Sequence, residues 1–231
     1  MNIIITGATK GIGKAIASIY AAEGHTLLIS ARNQIELQET AHSLSAVHGN
    51  IVHTFPADLS KKTEAIAFGK WCLQFGKPDI LVNNAGRFIP GSIYNEADGI
   101  IEEMIETNLY SAYHLTRVIV PAMISQKSGH IFNICSIASV KPYSNGGSYG
   151  ISKFAMLGFS KNLREELMPL QVKVTAVLPG AVYTNSWSGT GIDPKRIMED
   201  NDIAMMVLAA SKLSPQACVE EIVLRPQLGD L

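Results

Sequence analysis

The sequence has no surplus of positive charge, with 19 Lys and Arg against 20 Asp and Glu and a formal net charge of −1. A basic surface for phosphate backbones is therefore not expected, and nucleic acid is not a predicted partner. Cysteine is scarce too: Cys72, Cys135 and Cys218 are odd in number, far apart and without a paired metal spacing. They are expected to be reduced packing residues rather than a disulfide frame. The six histidines are equally scattered, and His42 with His48 is not a zinc spacing, so no metal is expected. No apolar run reaches the ~20 residues of a membrane span, and Met1 leads straight into Ile3-Ile4-Ile5 without a charged leader. These absences point to a soluble, cytoplasmic protein with no membrane partner.

Neither an internal repeat nor a low-complexity linker divides the chain. Its 231 residues, 47% hydrophobic and 17% charged, suit one domain over 1–231, large enough to bury roughly 70% of its unfolded surface. Apolar, β-branched runs alternate with helical patterns throughout. Strands are expected at residues 2–6, 26–30, 51–55, 80–83, 130–135, 172–178 and 221–225. Helices are expected at 14–23, 34–47, 62–75, within 96–126, at 149–168 and near 200–210. About seven strands separated by helices imply an α/β, Rossmann-type, doubly wound parallel sheet with helices on both faces. Ligands in such sheets bind beyond the carboxyl ends of the strands. Chemistry is therefore sought at Thr6-Gly7, Ser30-Ala31-Arg32, Asp58, Asn83-Asn84-Ala85-Gly86, Ser136 and Pro179-Gly180.

The first of these ends continues as Thr6-Gly7-Ala8-Thr9-Lys10-Gly11-Ile12-Gly13, with its glycines spaced G-x-x-x-G-x-G. A strand, a glycine turn and a helix let the backbone approach a pyrophosphate and present N–H groups to the anion. Further along, Tyr149 and Lys153 stand four residues apart, on one face of a helix. A phenol of ordinary pKa, about 10, exchanges protons poorly near neutrality. An adjacent positive charge favours its ionised form and suits it to general acid catalysis.

Taken with Asn83-Asn84-Ala85-Gly86 and Ser136, these motifs make the chain resemble the short-chain dehydrogenase/reductase family from the first strand to the last. The resemblance implies a catalytic set of Asn108, Ser136, Tyr149 and Lys153, the serine lying 13 residues before the tyrosine. It also implies cofactor contacts from Gly7, Thr9, Lys10, Gly11, Ile12 and Gly13. Further contacts are implied from Asp58, near the adenine amino group, and from Asn84, Ala85 and Gly86. Tyr149, Lys153, Pro179, Gly180, Val182 and Thr184 are implied as well, the lysine holding the nicotinamide ribose and the threonine meeting the nicotinamide carboxamide. Asn108 is expected to hold a water that links Lys153 to solvent. Where many members have Ser-Ser, this chain has Cys135-Ser136, and spacing selects Ser136. It also stops at Leu231 without the longer tail of many tetrameric members.

An acidic residue about 20 positions beyond the turn would hold the ribose 2′-hydroxyl of NAD, whereas arginine there accommodates the 2′-phosphate of NADP. The second strand ends in Arg32 with no carboxylate, and Lys10 adds a second cation, so NADP(H) is the expected cofactor. The expected reaction is reduction of a small-molecule carbonyl, with Ser136, Tyr143 and Trp187, together with Phe88 and Tyr183, lining the substrate site. The segments around Pro179–Thr184 and Val219–Pro226 resemble sepiapterin-reductase-like members, with 3-oxoacyl-carrier-protein reductases as the alternative. A cofactor-sensing regulator without chemistry is a third reading, and the presence of both Tyr149 and Lys153 argues against it. Helices 96–126 and 149–168 carry more than one apolar stripe, and in the family they form the main dimer interface. A homodimer or homotetramer is expected.

Overall fold

The computed structural model describes residues 1–184 and 191–229. Seven strands form one parallel sheet: β1 (Asn2–Thr6), β2 (Thr26–Ala31), β3 (Val52–Pro56), β4 (Ile80–Asn83), β5 (His130–Ile134), β6 (Lys173–Pro179) and β9 (Glu221–Leu224). Their spatial order is β3-β2-β1-β4-β5-β6-β9. The order reverses beside β1, which pairs with β2 on one edge and β4 on the other, Ile5 facing Ile29 and Val82. A crevice at this switch point is where an open α/β sheet accepts its ligand. Two short strands outside the sheet, β7 (Val182–Tyr183) and β8 (Met198–Glu199), pair with each other.

Strand periodicity distributes the core. On β1, Ile3 and Ile5 point to one face and Ile4 to the other, all three fully buried. Burying each such side chain is worth roughly 1.5–3 kcal/mol. The Ile3/Ile5 face is covered by α1 (Gly11–Ala22), α2 (Gln34–His48) and α7 (Asp200–Ser211), through Ile16, Tyr20, Leu37, Ile203 and Val207. The Ile4 face packs on α3 (Lys62–Cys72) and α5 (Ser111–Gln126) through Phe68, Leu115, Ile119 and Met123. Helix α6 (Gly147–Leu167) lies alongside, with Met156 and Leu157 against Cys135, Ala176 and Leu178.

The expected seven strands and their helices are all present. The helical pattern within 96–126, however, starts only at α4 (Ile100–Ile105), because Gly99 at φ 90° ends a turn immediately before it. Between α4 and α5 the chain makes one π-helical turn, Glu106–Tyr110. No described helix is long and apolar enough to cross a membrane.

Candidate active site

The glycine turn is built by its neighbours. Gly7, at φ 65°, lets the chain leave β1 in a conformation that side chains rarely adopt. Its N–H donates to the Ser30 carbonyl at 2.8 Å, tying the turn to the end of β2. On the other side, Asn84 Nδ2 donates to the carbonyls of Thr6 and Gly7 at 2.9 and 3.1 Å. Thr6 Oγ1 accepts from the N–H groups of both Asn84 and Ala85 at 2.9 Å. The two motifs that lie 78 residues apart therefore form one hydrogen-bonded unit. A Cβ on Gly13 would land on Asn84 Nδ2 and the Gly7 carbonyl, so only glycine allows this closure.

That unit fits a dinucleotide. No side chain caps α1 at Lys10, and its first turn has no acidic residue, which leaves its N–H groups and dipole for an anion. Thr184 stands over the same turn, since a Cβ on Gly11 would come within 2.8 Å of its methyl group. Pro179 ends β6, Gly180 N–H donates to the Leu224 carbonyl at 2.7 Å, and Val182 is buried in β7, so the segment leading to Thr184 is anchored.

Lys153 occupies a buried site on α6, 6% exposed, and its Nζ donates to the Ile134 carbonyl at 2.8 Å. Its ammonium lies 5.8 Å from the centre of the Tyr149 ring, as one helix face requires. The Tyr149 hydroxyl makes no hydrogen bond to any described residue. Phe88 packs edge-on against the Tyr149 ring at 4.9 Å and fixes its plane. Asn108 lies in the π turn and is 1% exposed. Its Oδ1 accepts from Arg87 N–H at 2.7 Å, while Nδ2 donates to the Arg87 carbonyl at 3.0 Å and to Ser152 Oγ at 2.9 Å. A Cβ on Gly86 would lie 3.1 Å from Asn108 Oδ1 and 3.7 Å from Lys153 Nζ, so both flank this glycine. Ser136 follows β5; its Oγ accepts from Ala138 N–H at 3.1 Å and its hydroxyl hydrogen has no acceptor among the described residues.

Arg32 is exposed at the end of β2 with no partner among the described residues. Lys10 is held by Glu36, at the start of α2, at 2.8 Å. Asp58 Oδ1 accepts from the N–H and hydroxyl of Ser60 at 3.3 and 2.8 Å, which fixes its carboxylate beyond β3. Tyr143 is exposed on the loop before α6, and desolvation, with Tyr149 adding to it, pushes its phenol up to about 12. Tyr183 borders a cleft with Pro194, Ile197 and Met198. Trp187 lies outside the described residues. Burial pushes the Cys135 thiol up to about 11, consistent with its expected packing role.

Three residues that support Asn83, namely Thr116, Asn133 and Ser160, are not among those expected from the sequence. Asn83 Nδ2 donates to Thr116 Oγ1 at 3.0 Å and to Asn133 Oδ1 at 2.8 Å, and Asn133 donates in turn to Ser160 at 2.6 Å. This buried chain joins β4, β5, α5 and α6 behind the strand ends. The isolated polar Asn133 in the apolar run Ile131–Ile134 was the available signal.

A doubly wound parallel sheet with this glycine turn at its switch point defines a dinucleotide-binding α/β protein. The chain belongs to the short-chain dehydrogenase family, whose model matches residues 1–193, and is an oxidoreductase of that family. It is 34% identical over 238 residues to a sepiapterin reductase of Chlorobaculum tepidum, covering 99% of this chain and 97% of the relative. An alcohol dehydrogenase from the archaeon Thermococcus sibiricus, complexed with 5-hydroxy-NADP, superposes with a TM-score of 0.90 at 29% identity, covering 98% of this chain and 96% of that one. A metagenomic short-chain oxidoreductase in complex with NADP gives 0.85 at 32% identity, with 98% and 97% covered.

Proposed function

We propose that the protein is an NADPH-dependent reductase that converts a small-molecule ketone to an alcohol, with one domain carrying both the cofactor and substrate sites. The observation that carries this reading is the Tyr149–Lys153 pair: an uncommitted phenol beside a buried ammonium that lies across Gly86 from Asn108 and bonds the Ile134 carbonyl, two residues before Ser136. The turn Gly7–Gly13, with Thr9 and Ile12, would hold the pyrophosphate. Asn84, Ala85, Gly86, Pro179, Gly180, Val182 and Thr184 would hold the nicotinamide half, and Asp58 the adenine. Arg32 and Lys10 would meet the 2′-phosphate, in line with the NADP named for both structural relatives.

Bound there, the nicotinamide supplies the hydride. Tyr149 donates its phenolic proton to the carbonyl oxygen as negative charge develops on it. Ser136 donates its uncommitted hydroxyl hydrogen to the same oxygen, a bond that strengthens towards the transition state. Lys153 stabilises the charge left on the tyrosine oxygen, and Asn108 completes the polar path through which Tyr149 regains its proton. Because the Ile134 carbonyl and the helix hold Lys153 in place, the ammonium needs no reorganisation when substrate arrives.

The substrate is read as a sepiapterin-like compound or a dicarbonyl, the first supported by the name of the Chlorobaculum tepidum relative. Phe88 and Tyr143 offer aromatic surface beside Tyr149 for a planar group. The deciding experiment measures NADPH oxidation with sepiapterin, small dicarbonyls and acetoacetyl thioesters in parallel. Preference for sepiapterin or a dicarbonyl supports the reading; exclusive turnover of the thioester assigns the protein to 3-oxoacyl reduction instead.

A further inference from the structure

The first turn of α6 carries Tyr149, yet the residue preceding that helix is Gly146, which caps nothing with a side chain. The missing cap comes from 52 residues earlier, where Glu96 Oε1 accepts from Ser148 N–H at 2.8 Å and Oε2 from the Ser148 hydroxyl. A carboxylate at this place both satisfies an orphan donor and complements the positive end of the helix dipole. Two glycines make the room. Gly147, at φ 34°, would place a Cβ on Glu96 Oε1, and a Cβ on Gly91 would come within 2.8 Å of Glu96 Cγ. The loop that carries Glu96 is stitched to the chain before α6 by Gly91 N–H to the Asn145 carbonyl at 3.1 Å and Ser92 Oγ to Asn145 Oδ1 at 3.0 Å.

We infer that Glu96 is a positioning residue for the reaction: its carboxylate locks the first turn of α6 and thereby the direction in which Tyr149 presents its phenol. The inference rests on the proposed role of Tyr149. It separates the loop following β4 into two duties, with Phe88 packing on the ring of Tyr149 and Glu96 fixing the backbone one residue before it. A local cap would have needed Ser, Thr, Asp or Asn at position 146, where the close approach of Tyr143 instead favours glycine, a Cβ there lying 3.0 Å from the Tyr143 carbonyl.

The test compares Glu96→Ala, Glu96→Gln and Ser148→Ala with wild type and with Tyr149→Phe, using NADPH and the best carbonyl of the substrate panel. Glu96→Ala is expected to lower kcat at least about tenfold, since small displacements of a reacting group are costly, with KM for NADPH changed less than about twofold. Glu96→Gln, which keeps an oxygen acceptor for Ser148 N–H, should recover most of that loss. Amide hydrogen exchange over residues 147–153 should accelerate in Glu96→Ala and stay slow in Glu96→Gln, a reading that needs no turnover. Should Glu96→Ala not fold, Ser148→Ala, which removes one of the two bonds, is expected to show a smaller fall in kcat with the same split from KM. Wild-type kcat in both Glu96→Ala and Ser148→Ala, or unchanged exchange in Glu96→Ala, overturns the inference while Tyr149→Phe remains inactive. An active Tyr149→Phe overturns the parent reading instead, and the exchange result then still decides whether Glu96 caps the helix.

Discussion

The ammonium of Lys153 lies 5.8 Å from the centre of the Tyr149 ring and is anchored on the Ile134 carbonyl at 2.8 Å. One contact belongs to the helix, the other to the sheet, so the charge is fixed between the two layers. Replacing it with an uncharged chain of similar length, Lys153→Met, is expected to lower kcat/KM by roughly 10²–10⁴ and to raise KM for NADPH. Steady-state kinetics check both; a change confined to KM would assign the lysine to binding alone.

Cofactor choice should follow Arg32 at the end of β2 and Lys10 in the glycine turn. Arg32→Asp is predicted to lower the NADPH/NADH ratio of kcat/KM at least about tenfold, the worth of one charge-assisted hydrogen bond. Glu36, which pairs with Lys10 at 2.8 Å, competes with a 2′-phosphate for that ammonium. Glu36→Ala is accordingly expected to lower KM for NADPH by about twofold to fivefold, in keeping with an exposed ion pair, and to leave NADH kinetics unchanged. An unaltered ratio in Arg32→Asp would contradict the assignment.

His130 predicts an acid-dependent loss of stability. Its Nε2 is 2.7 Å from Thr175 Oγ1, whose own hydrogen goes to the Val219 carbonyl at 2.6 Å, so the imidazole donates there. Burial holds its pKa down to about 3, against an ordinary value of 6.5. The unfolded chain therefore binds a proton that the folded one refuses. Stability is fully present above pH 6.5 and falls as pH drops towards 3, by about 1.4 kcal/mol per unit. Urea unfolding of wild type and His130→Leu at pH 7 and pH 5 checks this. The variant should lose less stability on acidification, and equal losses would refute the coupling.

The proposed assembly makes a prediction about α5 and α6. Tyr110, which precedes α5, and Tyr113, Ile151 and Phe154 expose 39–47% of their surface along these helices. A second copy of the chain seated on these helices would cover them. Sedimentation velocity at micromolar concentration is expected to give a species at least twice 24.9 kDa, and Phe154→Glu is expected to shift it towards the monomer. A monomeric wild type would count against the interface.

What could be read in advance depended on range. The strands announced themselves because β-branched runs such as Ile3-Ile4-Ile5 bury both faces, and the glycine turn because strand, turn and helix are contiguous. Tyr149 and Lys153 were legible for the same reason, four residues apart on one helix. The supports were not. Glu96 caps a helix 52 residues away, and the Thr6 hydroxyl serves Asn84 and Ala85 across two strands; neither leaves a local pattern. The π turn at Glu106–Tyr110 also lacked one, since its residues suit an ordinary helix and the bonds from Asn108 to Arg87 and Ser152 are tertiary. The two-residue strands β7 and β8 are too short for any periodicity to show.

The most direct measurement is single-turnover and steady-state reduction of the best panel substrate by Tyr149→Phe, alongside NADPH binding by fluorescence. The predicted result is NADPH affinity within about twofold of wild type and a rate at least about 10²-fold lower, the usual share of a positioned proton donor. NADPH binding with undiminished turnover would contradict the account.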